Sequence, residues 1–139
     1  MEAKDFLTGN ITCVLKKGDE VITSERTGIS PMLTWIGEGR DLRGFSAADR
    51  VVGKAAAMLF VKAGIVSVYA SVMSVPGRDY LEAHGIHALY SELTEKIINR
   101  KGDGLCPMES AVLNISDAEE GYIALVKRAA ELRAESENA

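Results

Sequence analysis

The order of apolar and polar positions predicts a chain that alternates strands and helices. "ITCVL" (11–15) and "EVITS" (20–24) are short runs rich in β-branched residues. The "KKGD" between them, with Gly18, fits a four-residue hairpin turn. "IVSVYASVMS" (65–74) is apolar without alternation, as expected of a central strand buried on both faces. "IHALYSEL" (86–93) reads as a fourth strand, reached from 65–74 through a turn and short helix in "VPGRDYLEAHG". Those two strands should be parallel, with a right-handed crossover.

Helical periodicity fills most of the remainder. "EAKDFLT" (2–8) suits a short helix, and "GISPMLTWIG" (28–37) carries Ser30 and Pro31 in the N-cap and N1 pattern. "SAAD" (46–49) approaches a capping box, which predicts a helix from Ser46 to about Lys62, stopped by Gly64. "TEKIINRKGDGL" reads as a short helix or turn followed by loop, and "CPMESAVLN" opens a helix with Pro107 at N1. A second capping box, Ser116 to Glu119, starts the last helix. Its apolar stripe is Tyr122, Ile123, Val126, Ala129 and Ala130, with Leu125 and Leu132 at the edge. The sum is a single α/β domain over 1–139, a three-layer α/β/α sandwich with a mixed sheet.

Composition and charge narrow the function classes. With 139 residues, 47% of them hydrophobic, the chain can bury a core without staples. The net charge of -4 argues against general nucleic-acid binding, which needs a basic surface, but leaves room for a small local anion site. "MEAKDFLTGN" lacks the pattern of a signal peptide, and Lys54 and Lys62 interrupt the longest apolar runs well short of a membrane span. The expectation is a cytoplasmic protein with no membrane contact. Cys13 and Cys106 are too few and too far apart for a disulfide framework.

One stretch carries unusual chemistry. In "DRVVGKAAAML" (49–59), Lys54 stands in a helix that is apolar on most sides, so it should be half-buried. A buried ammonium needs a partner or must lose its proton. On the predicted helix Arg50 lies one turn before Lys54, where two cations near the helix start oppose the macrodipole. A bound phosphate or carboxylate would offset that conflict. The candidate ligand-binding residues are therefore Asp49, Arg50, Gly53 and Lys54. The plainer alternative is an ion pair between Lys54 and an internal carboxylate such as Glu109.

"GDGLCPMES" supplies the second candidate. It places Cys106 at a predicted N-cap and Glu109 at N3, a capping box with sulfur in place of the hydroxyl. A thiol at a helix start favours the thiolate, so one reading is a reactive thiol beside the ligand pocket, although buried structural cysteines are inert. A small buried cap residue is the structural alternative. His84 and His87 lack a third ligand nearby, so no metal site and no cofactor is expected. Trp35 and Met32 read as core. "GK" at 53–54 is not a phosphate loop, because Ala48 and Ala55 stand where that motif needs Gly and Ser or Thr. "GEG" at 37–39 is not a dinucleotide fingerprint, since Leu42 breaks it.

"DRVVGKAAAML" and "NRKGDGLCPMES" together resemble a small prokaryotic family of uncharacterised proteins whose fold is placed with the cytidine deaminases. The resemblance covers almost the whole chain and implies a cytidine deaminase-like fold. Deaminases put His-x-Glu at the start of the helix after the hairpin and Pro-Cys-x-x-Cys at the helix after the next strand, for zinc and proton transfer. Against that pattern, "VGK" takes the first place, with Val52 and Lys54 for the His and Glu. "VPGRDY" takes the second, keeping Pro76 but not the cysteines. Zinc-dependent deamination is therefore not expected.

The leading expectation is a metal-free, non-catalytic domain that binds a small anionic ligand such as a nucleotide through Asp49, Arg50, Gly53, Lys54, Cys106 and Glu109. The alternatives are a metal-free enzyme using Lys54 or Cys106, and a structural subunit of a homo-oligomer.

Overall fold

Five strands form one mixed sheet in the order β2-β1-β3-β4-β5. The computed structural model describes residues 1–137. The strands are β1 (Cys13–Lys17), β2 (Glu20–Ser24), β3 (Ser46–Val52), β4 (Ser67–Ser74) and β5 (His87–Thr94). The helices are α1 (Ser30–Gly37), α2 (Lys54–Ala63), α3 (Val75–Ala83), α4 (Pro107–Ala111) and α5 (Ala118–Glu137), preceded by a one-turn 3-10 helix at Ala3–Phe6. β1 runs antiparallel to both β2 and β3, while β3, β4 and β5 are mutually parallel. The hairpin is tighter than expected: Lys17 pairs with Glu20, leaving only Gly18 and Asp19 to turn.

The expected helix over 46–62 is two elements. Residues 46–52 form the central strand β3, and the helix begins only at Lys54. The physical reason is burial on both faces. Ala47 and Ala48 lie on opposite sides of β3 and both are buried, so the alternation that marks a one-sided strand is missing. Pairing on both edges, to β1 and to β4, then overrides the helical propensity of "SAADR". Gly53 is extended, with φ -104° and ψ -169°, and turns the chain from strand into helix. Gly64, at φ +80°, ends α2 as expected.

The two faces of the sheet are covered unequally. Cys13, Leu15, Ala47, Val68 and Ala70 pack into the main core with Met32 and Trp35 of α1, the apolar run of α2, Leu81 of α3 and Leu125 of α5. Val14 and Ala48 pack on the other face against Ala3 and Leu7, at the N-terminal 3-10 turn. Helix α5 meets the core by a different stripe from the one its apolar residues suggest. Gly121 and Leu125 are buried, whereas Ile123 and Val126 are exposed. A Cβ at Gly121 would stand 2.5 Å from Met58 Cε, so the glycine sets the contact with α2. Asp117, not Ser116, caps this helix, accepting the Glu120 amide at 2.9 Å.

Candidate functional site

Strand β3 delivers Gly53 to the start of α2, at the carboxyl end of the parallel strands. Open α/β sheets place ligand crevices at that end. The carboxylate of Glu109, on α4, reaches across to the same point. Its Oε1 accepts the Lys54 amide and its Oε2 the Ala55 amide, each at 2.8 Å. The first amides of a helix have no partner within the helix, and here a side chain of the chain itself supplies one. Burial raises the Glu109 pKa above its ordinary value, and the two amides and the Lys54 charge pull it part of the way back.

Gly53 is required by this contact. A Cβ there would lie 2.3 Å from Glu109 Oε1 and 2.8 Å from Ile97 Cγ1. A second glycine seals the other side, since a Cβ at Gly77 in α3 would stand 2.9 Å from the Gly53 carbonyl carbon. The buried Ser74 caps α3 by accepting the Gly77 amide at 3.0 Å. Nothing in the sequence singles out Ser74 or Ile97 as part of this site. "SVPG" carries the same Ser-before-Pro signal as Ser30–Pro31, but nothing local announces the approach to Gly53.

Lys54 is half-buried, as expected, but its ammonium forms no ion pair with Glu109. It donates to the carbonyls of Val112 at 2.9 Å and Leu113 at 3.2 Å, just beyond α4. Those carbonyls carry the negative end of the short helix, a favourable place for a cation. The internal carboxylate does hold residue 54, through the backbone amide rather than the side chain.

Arg50 and Asp49 do not join this cluster. Both lie in β3, so the expected cation pair on one helical turn does not exist. The Arg50 guanidinium donates instead to the carbonyls of Ile11 at 3.1 Å and Gly9 at 3.2 Å. Asp49 is buried opposite Cys13 in the β1–β3 register. Its carboxylate accepts the Arg50 amide at 2.7 Å. Burial lifts its pKa to about 7, against the amides of Arg50 and Val51, the Cys13 thiol and the Arg50 charge, which all act to lower it. Burial also raises the Cys13 thiol, and the Asp49 charge adds to that.

Cys106 sits beside Glu109 at the start of α4, but the expected sulfur capping box is not made. No side-chain bond caps that helix, and the Glu109 carboxylate is committed to α2. The Cys106 backbone instead ties the loop down, donating to the Ile97 carbonyl at 3.0 Å. His84 stacks on Tyr80 at 4.3 Å between ring centroids, and Trp35 and Met32 are buried in the core.

The helix after the hairpin is α1, beginning at Ser30, and the helix after the next strand is α2. "VGK" therefore opens the second helix after the hairpin rather than the first, with Gly53 between β3 and α2 and Lys54 the first residue of α2. Among the described residues, no group of three or more His, Cys, Asp or Glu is placed to hold a metal ion. No helix among them is long and apolar enough to cross a membrane.

A mixed five-stranded sheet with packed helices defines an α/β domain. The model of a domain of unknown function, DUF1893, matches residues 2–128, and the chain belongs to that family. A DUF1893 family protein from Thermotoga maritima has a solved structure similar to this one, with a TM-score of 0.81 at 26% identity over 90% of this chain and 85% of that one. Weaker likeness, at a TM-score of 0.44, is found to two others. One is a diaminohydroxyphosphoribosylaminopyrimidine deaminase/5-amino-6-(5-phosphoribosylamino)uracil reductase from Thermotoga maritima, 17% identical over 58% of this chain and 29% of that one. The other is a dCMP deaminase from the cyanophage S-TIM5, 12% identical over 58% of this chain and 79% of that one. No curated protein matches.

Proposed function

We propose that this chain is a non-catalytic, metal-independent domain that binds a small anionic ligand such as a nucleotide. The observation that carries the non-catalytic part is how the polar groups at the end of β3 are used. Both oxygens of Glu109 are held by amides, the Lys54 ammonium by two carbonyls, and the Ser74 hydroxyl by the Gly77 amide. An acid, base or nucleophile must be free to meet a substrate, and these groups are engaged in joining α2 to α4 and in capping α3. They act as a latch. Support for the anionic ligand comes from elsewhere, in three lysines that line one concavity of a chain whose net charge is -4.

A thermal-shift series tests this reading, because a ligand that binds only the folded state stabilises it by mass action. AMP, citrate and inorganic phosphate, at millimolar concentration and constant ionic strength, are expected to include at least one that raises Tm. A flat response to all three would remove the binding reading.

A further inference from the structure

The binding reading leaves open where the anion sits, and the geometry points to the opposite end of the sheet from Lys54. We propose that the concavity between the N-terminal 3-10 turn and the beginnings of β3 and β4 is a site for a small organic phosphate. The site rests on the binding reading above and gives it a location.

The cavity measures about 300 Å³, at the lower end of the range of small-ligand sites, roughly 300–1,000 Å³. It lies where β3 and β4 start, at Ser46 and Ser67. Six residue steps along β3 separate this end from Val52, or about 20 Å at the rise of a strand. The cluster at Gly53 and Glu109 is thus a separate place.

Among the described residues, unpaired cations distinguish it from the concavity lined by Arg40, Arg43 and Lys62, where the three cations are paired with Glu38, Asp41 and Glu119. Lys4, Lys16 and Lys17 line the proposed site, against a single carboxylate from Glu2. The Glu2 carboxylate stands 3.7 Å from the Lys4 ammonium. Among the described residues neither Lys16 nor Lys17 is in an ion pair. Lys16 donates to the Gly18 carbonyl, and Lys17 donates to the Arg43 carbonyl at 3.1 Å. Each ammonium carries three donors, so two remain on each after these bonds. A backbone carbonyl holds each of the two cations without neutralising it. Asp41, whose carboxylate feels the charge of Lys17, is itself engaged by the Arg43 guanidinium at 2.9 Å.

The remainder of the lining suits the body of such a ligand. Tyr69 presents a half-buried ring, with the Lys4 ammonium 5.8 Å from its centroid. Leu89, paired with Tyr69 in the β4–β5 register, continues that apolar wall and is 44% exposed. A phosphate among the lysines would thus have a planar or apolar group laid against Tyr69 and Leu89, with Ser46 and Ser67 alongside.

The experiment measures binding of AMP, inorganic phosphate and adenosine by calorimetry, to the wild-type chain, to the double variant K16A/K17A and to K54M. Circular dichroism establishes that each variant is folded. AMP should bind the wild type at least tenfold more tightly than adenosine. The double variant should lose at least tenfold in affinity for AMP, while K54M stays within twofold of wild type. AMP binding that survives K16A/K17A but is lost in K54M would overturn this location and leave the binding reading intact. Failure of AMP and phosphate alike to bind the wild type would remove this site, and a flat thermal-shift response to citrate as well would remove the binding reading.

Discussion

The Glu109 carboxylate closes the N-terminus of α2 from 55 residues further along the chain, with both oxygens at 2.8 Å from the amides of Lys54 and Ala55. A helix start usually meets a nearby cap or a bound anion, and here a distant side chain takes the anion's place. Glu109→Ala removes both acceptors and leaves two amides of a largely buried helix start unpaired. At about 1–3 kcal/mol for each orphaned buried group, and with water entering the gap, the expected loss is about 2–4 kcal/mol. Urea unfolding measures it; a change under about 0.5 kcal/mol would show that the contact does not hold α4 to α2.

Gly53→Ala tests the same contact from the other side. The new methyl group would meet Glu109 Oε1 and Ile97 Cγ1, so the carboxylate must withdraw from the amides. A loss of about 2 kcal/mol or more is expected, in the range of overpacked sites. In a Glu109→Ala background the same change should cost at least about 1 kcal/mol less, because residues in contact are not additive. Equal costs in the two backgrounds would mean that Gly53 is required for another reason.

Much of this arrangement is visible in the sequence, and the misses have physical causes. The hairpin and β4 are legible because their β-branched runs are bounded by Gly, Asp and Pro signals, and β5 because its largely apolar start follows Gly85. The strand β3 is not, because its "SAAD" start approaches a capping box while Ala47 and Ala48, on opposite faces, are both buried. That one error carries Arg50 onto a helical turn with Lys54 and creates a charge conflict that the structure does not contain. Lys54 itself, Gly53, Cys106 and Glu109 are brought together as a neighbourhood, because an isolated lysine in an apolar run and a glutamate after "CP" are both unusual. What each group bonds to is set by long-range packing that no local pattern encodes. Likewise, Gly121 gives no hydrophobic signal, yet it decides which stripe of α5 faces Met58.

Asp49 predicts a dependence on pH. Its folded-state pKa of about 7 lies above the ordinary 3.8, so ionisation opposes folding. The contribution is full below about pH 4 and is lost as pH rises through about 7. For this one group, the loss between pH 5 and pH 8.5 amounts to about 3 kcal/mol. Asp49→Asn removes the ionisation and should flatten that decline, so that the variant gains on the wild type as pH rises. Denaturant midpoints of the two proteins at pH 5, 7 and 8.5 provide the comparison. Parallel curves would mean that the carboxylate is already ionised in the folded protein near pH 5.

The two thiols should differ in accessibility. Cys13 is 1% exposed in the core beside Asp49, and burial raises its pKa well above the usual 9.0. Cys106 is only half-buried, at the junction of loop and α4. A thiol reagent at pH 8 should therefore modify one cysteine per chain quickly, at Cys106, and reach Cys13 only after unfolding. Peptide mapping after timed labelling identifies the site, and rapid labelling of Cys13 in the folded chain would contradict its placement.

Lys54 separates the latch from a ligand site most directly. Its ammonium ties the end of α4 to the start of α2, through the carbonyls of Val112 and Leu113. Lys54→Met keeps most of the aliphatic stem but removes both bonds. A hydrogen bond that involves a charged group contributes about 1.5–3 kcal/mol, and part of that is offset here because a half-buried ammonium no longer has to be desolvated. The net expectation is a loss of about 1–2 kcal/mol, with affinity for AMP unchanged. A variant more stable than wild type would show that the cation is retained at a cost, as in sites kept for function rather than stability. In that case affinity decides: a tenfold loss for AMP in K54M would make the ammonium a binding group, and unchanged affinity would leave it without that role.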